Sequence, residues 1–333
     1  MIIPPICPSC SAQNRENAKF CRLCGTRLPI QNILSETNQT KSESQTLMKD
    51  VSVEIETKKE DSKIEEIDFV GLEEIRSRLQ MFINAQIIKQ KQKKIGMSVS
   101  ENTNILVFKG ETGTGKSLVA EYFISQLIKS NCLFSNAVVR TTAHKFQRQY
   151  QTDTQISNYL SEQNLGVFLI DEVHNDKTYL YELLLGLTEK KLDTICILLG
   201  LKQNLEEFFL EKSELTDLVT FFDFPIVTDE NLVKILENKL CQRGFFYSDE
   251  VQKTFLLSVQ ESKHHPTNQY KNGWLVEKDI LYKILENQAS RLSKKAFISN
   301  QDLKQIEIED IPVSKKIETV DEILAMLDEL IGM

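Results

Sequence analysis

The chain has 333 residues, with 40 Lys plus Arg against 48 Asp plus Glu, a formal net charge of −8, and 41% hydrophobic and 26% charged residues. These values exclude a wholly disordered or fibrous chain, and the acidic balance argues against broad binding to a phosphate backbone. No apolar run approaches the roughly 18 residues a membrane span needs, and Met1-Ile2-Ile3-Pro4-Pro5-Ile6 is too short for a signal peptide, so a cytoplasmic protein is expected.

Four of the seven cysteines fall in the first 24 residues, as Cys7-x-x-Cys10, ten residues, then Cys21-x-x-Cys24. Each pair sets two thiolates on one tight turn, and four thiolates complete a tetrahedral Zn²⁺ shell. So short a segment has almost no core, so metal binding would supply its folding energy. Cys132, Cys196 and Cys241 lack ligand spacing, and an odd total of this kind argues against a disulfide framework. The run Asn17-Ala18-Lys19-Phe20-Cys21 and the two cysteine pairs resemble a zinc-ribbon domain.

Residues 29–63 are rich in Gln, Asn, Ser, Thr, Lys and Glu, and no aromatic residue occurs between Phe20 and Phe69. That composition buries too little apolar area to offset ordering entropy, so a flexible linker is expected. From residue 64 onward short apolar runs alternate with amphipathic stretches, the pattern of an α/β fold with a parallel sheet covered on both faces. The spacing predicts helices over 72–94, 117–130, 154–163 and 179–187. Strands are predicted over 104–109, 137–141, 167–170, 194–199 and 220–224. After Pro225 no strand signal appears, and residues 228–293 read as a small helical subdomain.

Between the first predicted strand and the helix after it lies Gly110-Glu111-Thr112-Gly113-Thr114-Gly115-Lys116-Ser117, followed by Leu118. It fits G-x-x-x-x-G-K-[ST] in the strand–loop–helix setting that gives the motif its meaning. The glycines let backbone N–H groups curl around phosphates, Lys116 reaches the β- and γ-phosphates, and Ser117 holds Mg²⁺. Val167-Phe168-Leu169-Ile170 form a buried strand tipped by Asp171 and Glu172. Asp171 is the expected Mg²⁺ partner, and Glu172 the group that orients and deprotonates an attacking water.

These two motifs, with Ile67-Asp68-Phe69-Val70-Gly71-Leu72, Ile197-Leu198-Leu199-Gly200-Leu201 and Phe222-Asp223-Phe224-Pro225, resemble an AAA+ module of the CbxX/CfqX type, the group containing red-type Rubisco activase. The resemblance implies a P-loop αβα core over 64–226 and a helical lid over 227–300. It also implies adenine contacts from Val70 and Gly71, ATP and Mg²⁺ as ligands, and an oligomeric ring acting on a protein client. Two of its arginine positions are missing. The segment that supplies trans-acting arginines reads Glu214-Leu215-Thr216-Asp217-Leu218-Val219, and the lid motif Gly-Asn-x-Arg reads Asn272-Gly273-Trp274-Leu275. An arginine finger is worth roughly 10³–10⁵ in rate, so two readings stay open: a remodelling ATPase, or a nucleotide-binding scaffold paired with an active homologue. Tyr150 aligns with the family's pore aromatic, with ordinary packing as the competing reading. His174 is either a sensor of nucleotide state or a local hydrogen-bond partner. The acidic segment 301–333 contains an amphipathic helix pattern over 320–331, and Asp328-Glu329-Leu330-Ile331-Gly332-Met333 resembles the start of a second module.

Overall fold

A computed structural model describes residues 55–56, 69–97, 104–189, 193–266 and 268–313. The cysteines at 7, 10, 21 and 24, most of the expected linker and the 320–331 helix pattern lie outside them. Within the expected linker, Ile55–Glu56 (β1) pairs antiparallel with β3, described below, so the sheet begins earlier in the chain than residue 64.

The order is α1 (Glu73–Lys94), β2 (Ile105–Gly110), α2 (Lys116–Lys129), β3 (Val138–Thr142), α3 (Ala143–Gln147), α4 (Asp153–Gln163) and β4 (Val167–Asp171). Then follow α5 (Lys177–Glu189), β5 (Ile195–Gly200), α6 (Lys202–Glu211) and β6 (Thr220–Phe224). The strands lie in the order β1-β3-β4-β5-β2-β6, and every pairing among β2 to β6 is parallel. The central strands are apolar on both faces because helices cover both. In β2, Ile105 and Val107 face one core cluster while Leu106 and Phe108 face the other. In β4 the split is Phe168 and Ile170 against Val167 and Leu169. Helices α4, α5 and α6 contribute to the first cluster, α1 and α2 to the second. The strand order reverses around β2, which places the β2–α2 loop at the carboxyl edge, where α/β sheets bind ligands.

The lid is α7 (Asp229–Gln242), α8 (Asp249–His264), a short turn α9 (Gly273–Leu275), a π-type turn Val276–Ile280 and α10 (Leu281–Ser293). Ser248 and Thr228 cap α8 and α7 by accepting from backbone N–H groups. Two short strands, β7 (Phe246–Tyr247) and β8 (Gln305–Ile306), pair parallel where no strand was expected. Two residues each are too few to leave a period-two pattern. Ile306 and Ile311 belong to the lid's apolar core, so its packing runs past the boundary expected at 300. Asp310, fully buried, takes a bidentate grip from Arg291 at 2.8–2.9 Å.

Tyr150 packs against Phe146 and Tyr159, with ring centroids 4.8 and 4.5 Å away, and burial raises its hydroxyl pKa. The packed reading of this residue is the one the structure displays. Among the described residues, no helix is long and apolar enough to cross a membrane.

Candidate nucleotide site

The floor is the loop between β2 and α2. Gly113 and Gly115 take φ of +80° and +93°, open only to glycine at low cost. At Gly113 space is also decisive: a Cβ there would stand 2.5 Å from the Lys271 carbonyl oxygen of the lid. The loop closes on itself through Thr114 Oγ1, which donates to the Glu111 carbonyl at 2.8 Å. It delivers the chain into α2, whose first-turn N–H groups carry a partial positive charge.

Lys116 Nζ donates to the Gly110 and Glu111 carbonyls, each at 2.8 Å. Its pKa is lowered chiefly by burial, against the opposing pull of Asp171 and Glu111. Ser117 Oγ donates to Asp171 Oδ2 at 3.2 Å, although 54 residues separate them. Asp171 Oδ1 accepts from the Glu172 N–H at 2.7 Å. Glu172 itself has φ +58°, ψ +33°, a left-handed conformation that costs a non-glycine residue about 1–3 kcal/mol. His174 lies on the same wall. Burial lowers its pKa, with Lys116 acting the same way and Glu172 and Asp171 opposing. Its Nδ1 is buried and has no partner among the described residues.

The roof comes from the lid. Asn272 is buried and uses both ends of its amide. Its Oδ1 accepts from Val227 N at 3.0 Å, and its Nδ2 donates to the Thr112 carbonyl at 2.9 Å. Its backbone, φ +53° and ψ −140°, is strained for a non-glycine residue. Next to it, Gly273 N donates to the Gly113 carbonyl at 2.9 Å, and the Trp274 ring lies over Gly113. Lys278 Nζ sits 3.8 Å above the centre of that ring.

Floor and roof enclose a cavity of about 1510 Å³. Val70, Gly71, Thr112, Gly113, Thr114, Gly115, Lys116, Ser117, Leu118, Asp171 and Glu172 all line it. Gly110 and Glu111 lie behind it and serve Lys116 through their carbonyls. The lining also includes groups not singled out from sequence as ligand contacts, among them Arg76 at the Phe69 end and Asn231 and Trp274 in the roof, while His174, a candidate from sequence, stands beside the acids. Asn231 fills the space a side chain at Gly71 would need. The hydroxyl of Ser117 and the carboxylate of Asp171 are hard oxygen donors of the kind Mg²⁺ prefers, so this pair fits that ion.

The AAA lid domain family matches residues 228–321, and the zinc-ribbon domain family matches residues 6–28. The chloroplastic ribulose bisphosphate carboxylase/oxygenase activase of Cyanidioschyzon merolae is 25% identical over 287 residues, covering 79% of this chain and 96% of its own. Protein CbbX of Cereibacter sphaeroides is 23% identical over 218 residues, 61% of this chain and 71% of its own. Over most of its length the chain is thus similar to AAA+ proteins of the CfxQ/CbbX type. Stage V sporulation protein K of Bacillus subtilis is also similar, 24% identical over 262 residues, 74% of this chain and 80% of its own. Against that family background the AAA+ lid differs where it meets the floor. Trp274 and the buried Leu275 stand in the stretch that carries an arginine in the resemblance. Arg291 is committed to Asp310 within the lid.

Proposed function

We propose that this AAA+ protein binds ATP with Mg²⁺ and couples slow hydrolysis to remodelling of a protein partner in an oligomeric ring. The observation that carries the reading is the convergence of Lys116, Ser117, Asp171 and Glu172 at one end of a cavity roofed by the lid. Gly113 to Ser117 cradle the phosphates with backbone N–H groups, and Lys116 turns from the loop carbonyls to the β- and γ-phosphates. Ser117 and Asp171 hold the metal, which supplies charge neutralisation when bound. Glu172 takes the proton of the attacking water. Val70 and Gly71 receive the adenine. Cys7, Cys10, Cys21 and Cys24 hold Zn²⁺, a reading supported by the zinc-ribbon match over 6–28.

The second reading, a nucleotide-binding scaffold that depends on an active homologue, is favoured by one observation. Among the described residues that line the cavity, the single arginine is Arg76, and the phosphate end has Trp274 overhead. Calorimetry with ATP and Mg²⁺ tests both readings at once. Uptake by the native chain and its weakening in Lys116→Ala are expected, and no uptake by well-folded native protein would overturn both. Turnover then separates them: robust hydrolysis by the chain alone, lost in Glu172→Gln, excludes the scaffold.

A further inference from the structure

Helix α1 buries one stripe, Ile75, Leu79 and Ile83, against the core. An amphipathic surface helix ordinarily leaves the opposite side polar. Here it does not. Met81 is 59% exposed, Ile88 55% and the C-cap residue Ile95 75%, one residue every seven. Ala85, also exposed, and Gln92 fall between them, so the outward stripe runs 81, 85, 88, 92, 95 in alternating steps of four and three. That is the spacing of a helix–helix seam, and it is separate from the stripe already used in the core. The flanking charge has one sign. After Glu74 the helix carries no acid, and its second half holds Lys89, Lys91, Lys93 and Lys94. Lys93 reaches Asp193 at 2.6 Å.

The same chain contains a segment of complementary chemistry. Beyond Val313, which packs against the lid core, Ile317, Val320, Leu324, Leu327 and Ile331 recur in steps of three and four. Glu318, Asp321, Glu322, Asp328 and Glu329 flank them, with no Lys or Arg from 317 to 333. Both stripes span the same number of residues, a helical length of about 21 Å at the standard rise. We propose that residues 317–331 dock as a helix on the outward stripe of α1, apolar rows interlocking and acids facing lysines. α1 starts at Glu73, capped by Leu72, which with Gly71 lines the cavity, so the docked segment would join the end of the lid to the helix that leads away from the adenine end.

Benzoylphenylalanine incorporated at position 88 of the full-length purified protein reads the occupant directly. Irradiation is expected to give adducts that mass spectrometry maps to 317–331, within one chain or between two copies. Their yield should fall at least about five-fold in Leu324→Asp/Leu327→Asp and decline with added salt, as exposed charge pairing requires. The same probe at Leu210, 85% exposed on α6, should give no adduct in that segment. Adducts mapping instead to residues 1–63 or elsewhere, equal yield from position 210, or no adduct in protein with native circular dichroism would overturn the proposal.

Discussion

The two surfaces of the cavity are built on different principles. The floor works with charged side chains on a rigid sheet: Lys116 follows the carboxyl end of β2, and Asp171 and Glu172 stand at that of β4, with β5 between them and the strands buried on both faces. The roof works with backbone and amide groups: Asn272 and Gly273 bond to loop carbonyls, and an aromatic ring covers Gly113. A charge on the floor acts on a ligand. An amide in the roof acts on the position of the lid. Chemistry and closure are therefore separable, and substitutions should divide accordingly.

The largest expected effect is on the floor. Glu172→Gln should lower single-turnover ATP hydrolysis by roughly 10²–10⁴, the usual worth of a general base, with nucleotide affinity retained in calorimetry. A loss of affinity instead would blur the division. In the roof's own support, Asp310→Ala strands Arg291 in a buried setting and should destabilise the lid by about 3–5 kcal/mol. A two-step melt, the lid first and the sheet unchanged, checks it. Lys116→Ala removes charge-assisted bonds worth about 1.5–3 kcal/mol and should weaken ATP binding roughly 10- to 100-fold.

Asn272→Asp sharpens the comparison further. The carboxylate can still accept from Val227 N, but it offers no donor to the Thr112 carbonyl and repels it. A weakening of nucleotide binding by about 1 kcal/mol is expected. Asn272→Gly, which relieves the positive φ, should keep the fold yet show the same weakening. The smallest effect belongs to His174. Burial holds its folded pKa below the unfolded value of 6.5, so the unfolded chain binds more protons. Its contribution to stability is complete above that value and is lost as pH falls through the folded pKa. The melting temperature should therefore drop on acidification below about pH 6.5, and His174→Gln should flatten part of that slope.

The floor was legible in the sequence because its residues are contiguous. One loop of eight residues and one strand tip carry it, and the predicted strands and helices that frame them fall within about two residues of the observed limits, the usual uncertainty of helix ends. The roof was not. Asn272 meets Thr112 across 160 residues of chain, and Gly273 contributes through its N–H, which no side-chain pattern reveals. Nor did sequence decide between two roles for Tyr150, since an aromatic in a short polar run suits a packed or a projecting position equally. Only the surrounding rings of Phe146 and Tyr159 distinguish them.

Trp274 is the single tryptophan of the chain, and it sits where floor and lid touch, beneath the Lys278 ammonium group. The protein thus carries its own optical gauge at the contact between lid and floor. Any movement of the lid away from Gly113 alters the polarity around that indole, so its emission wavelength follows opening and closing in unlabelled material.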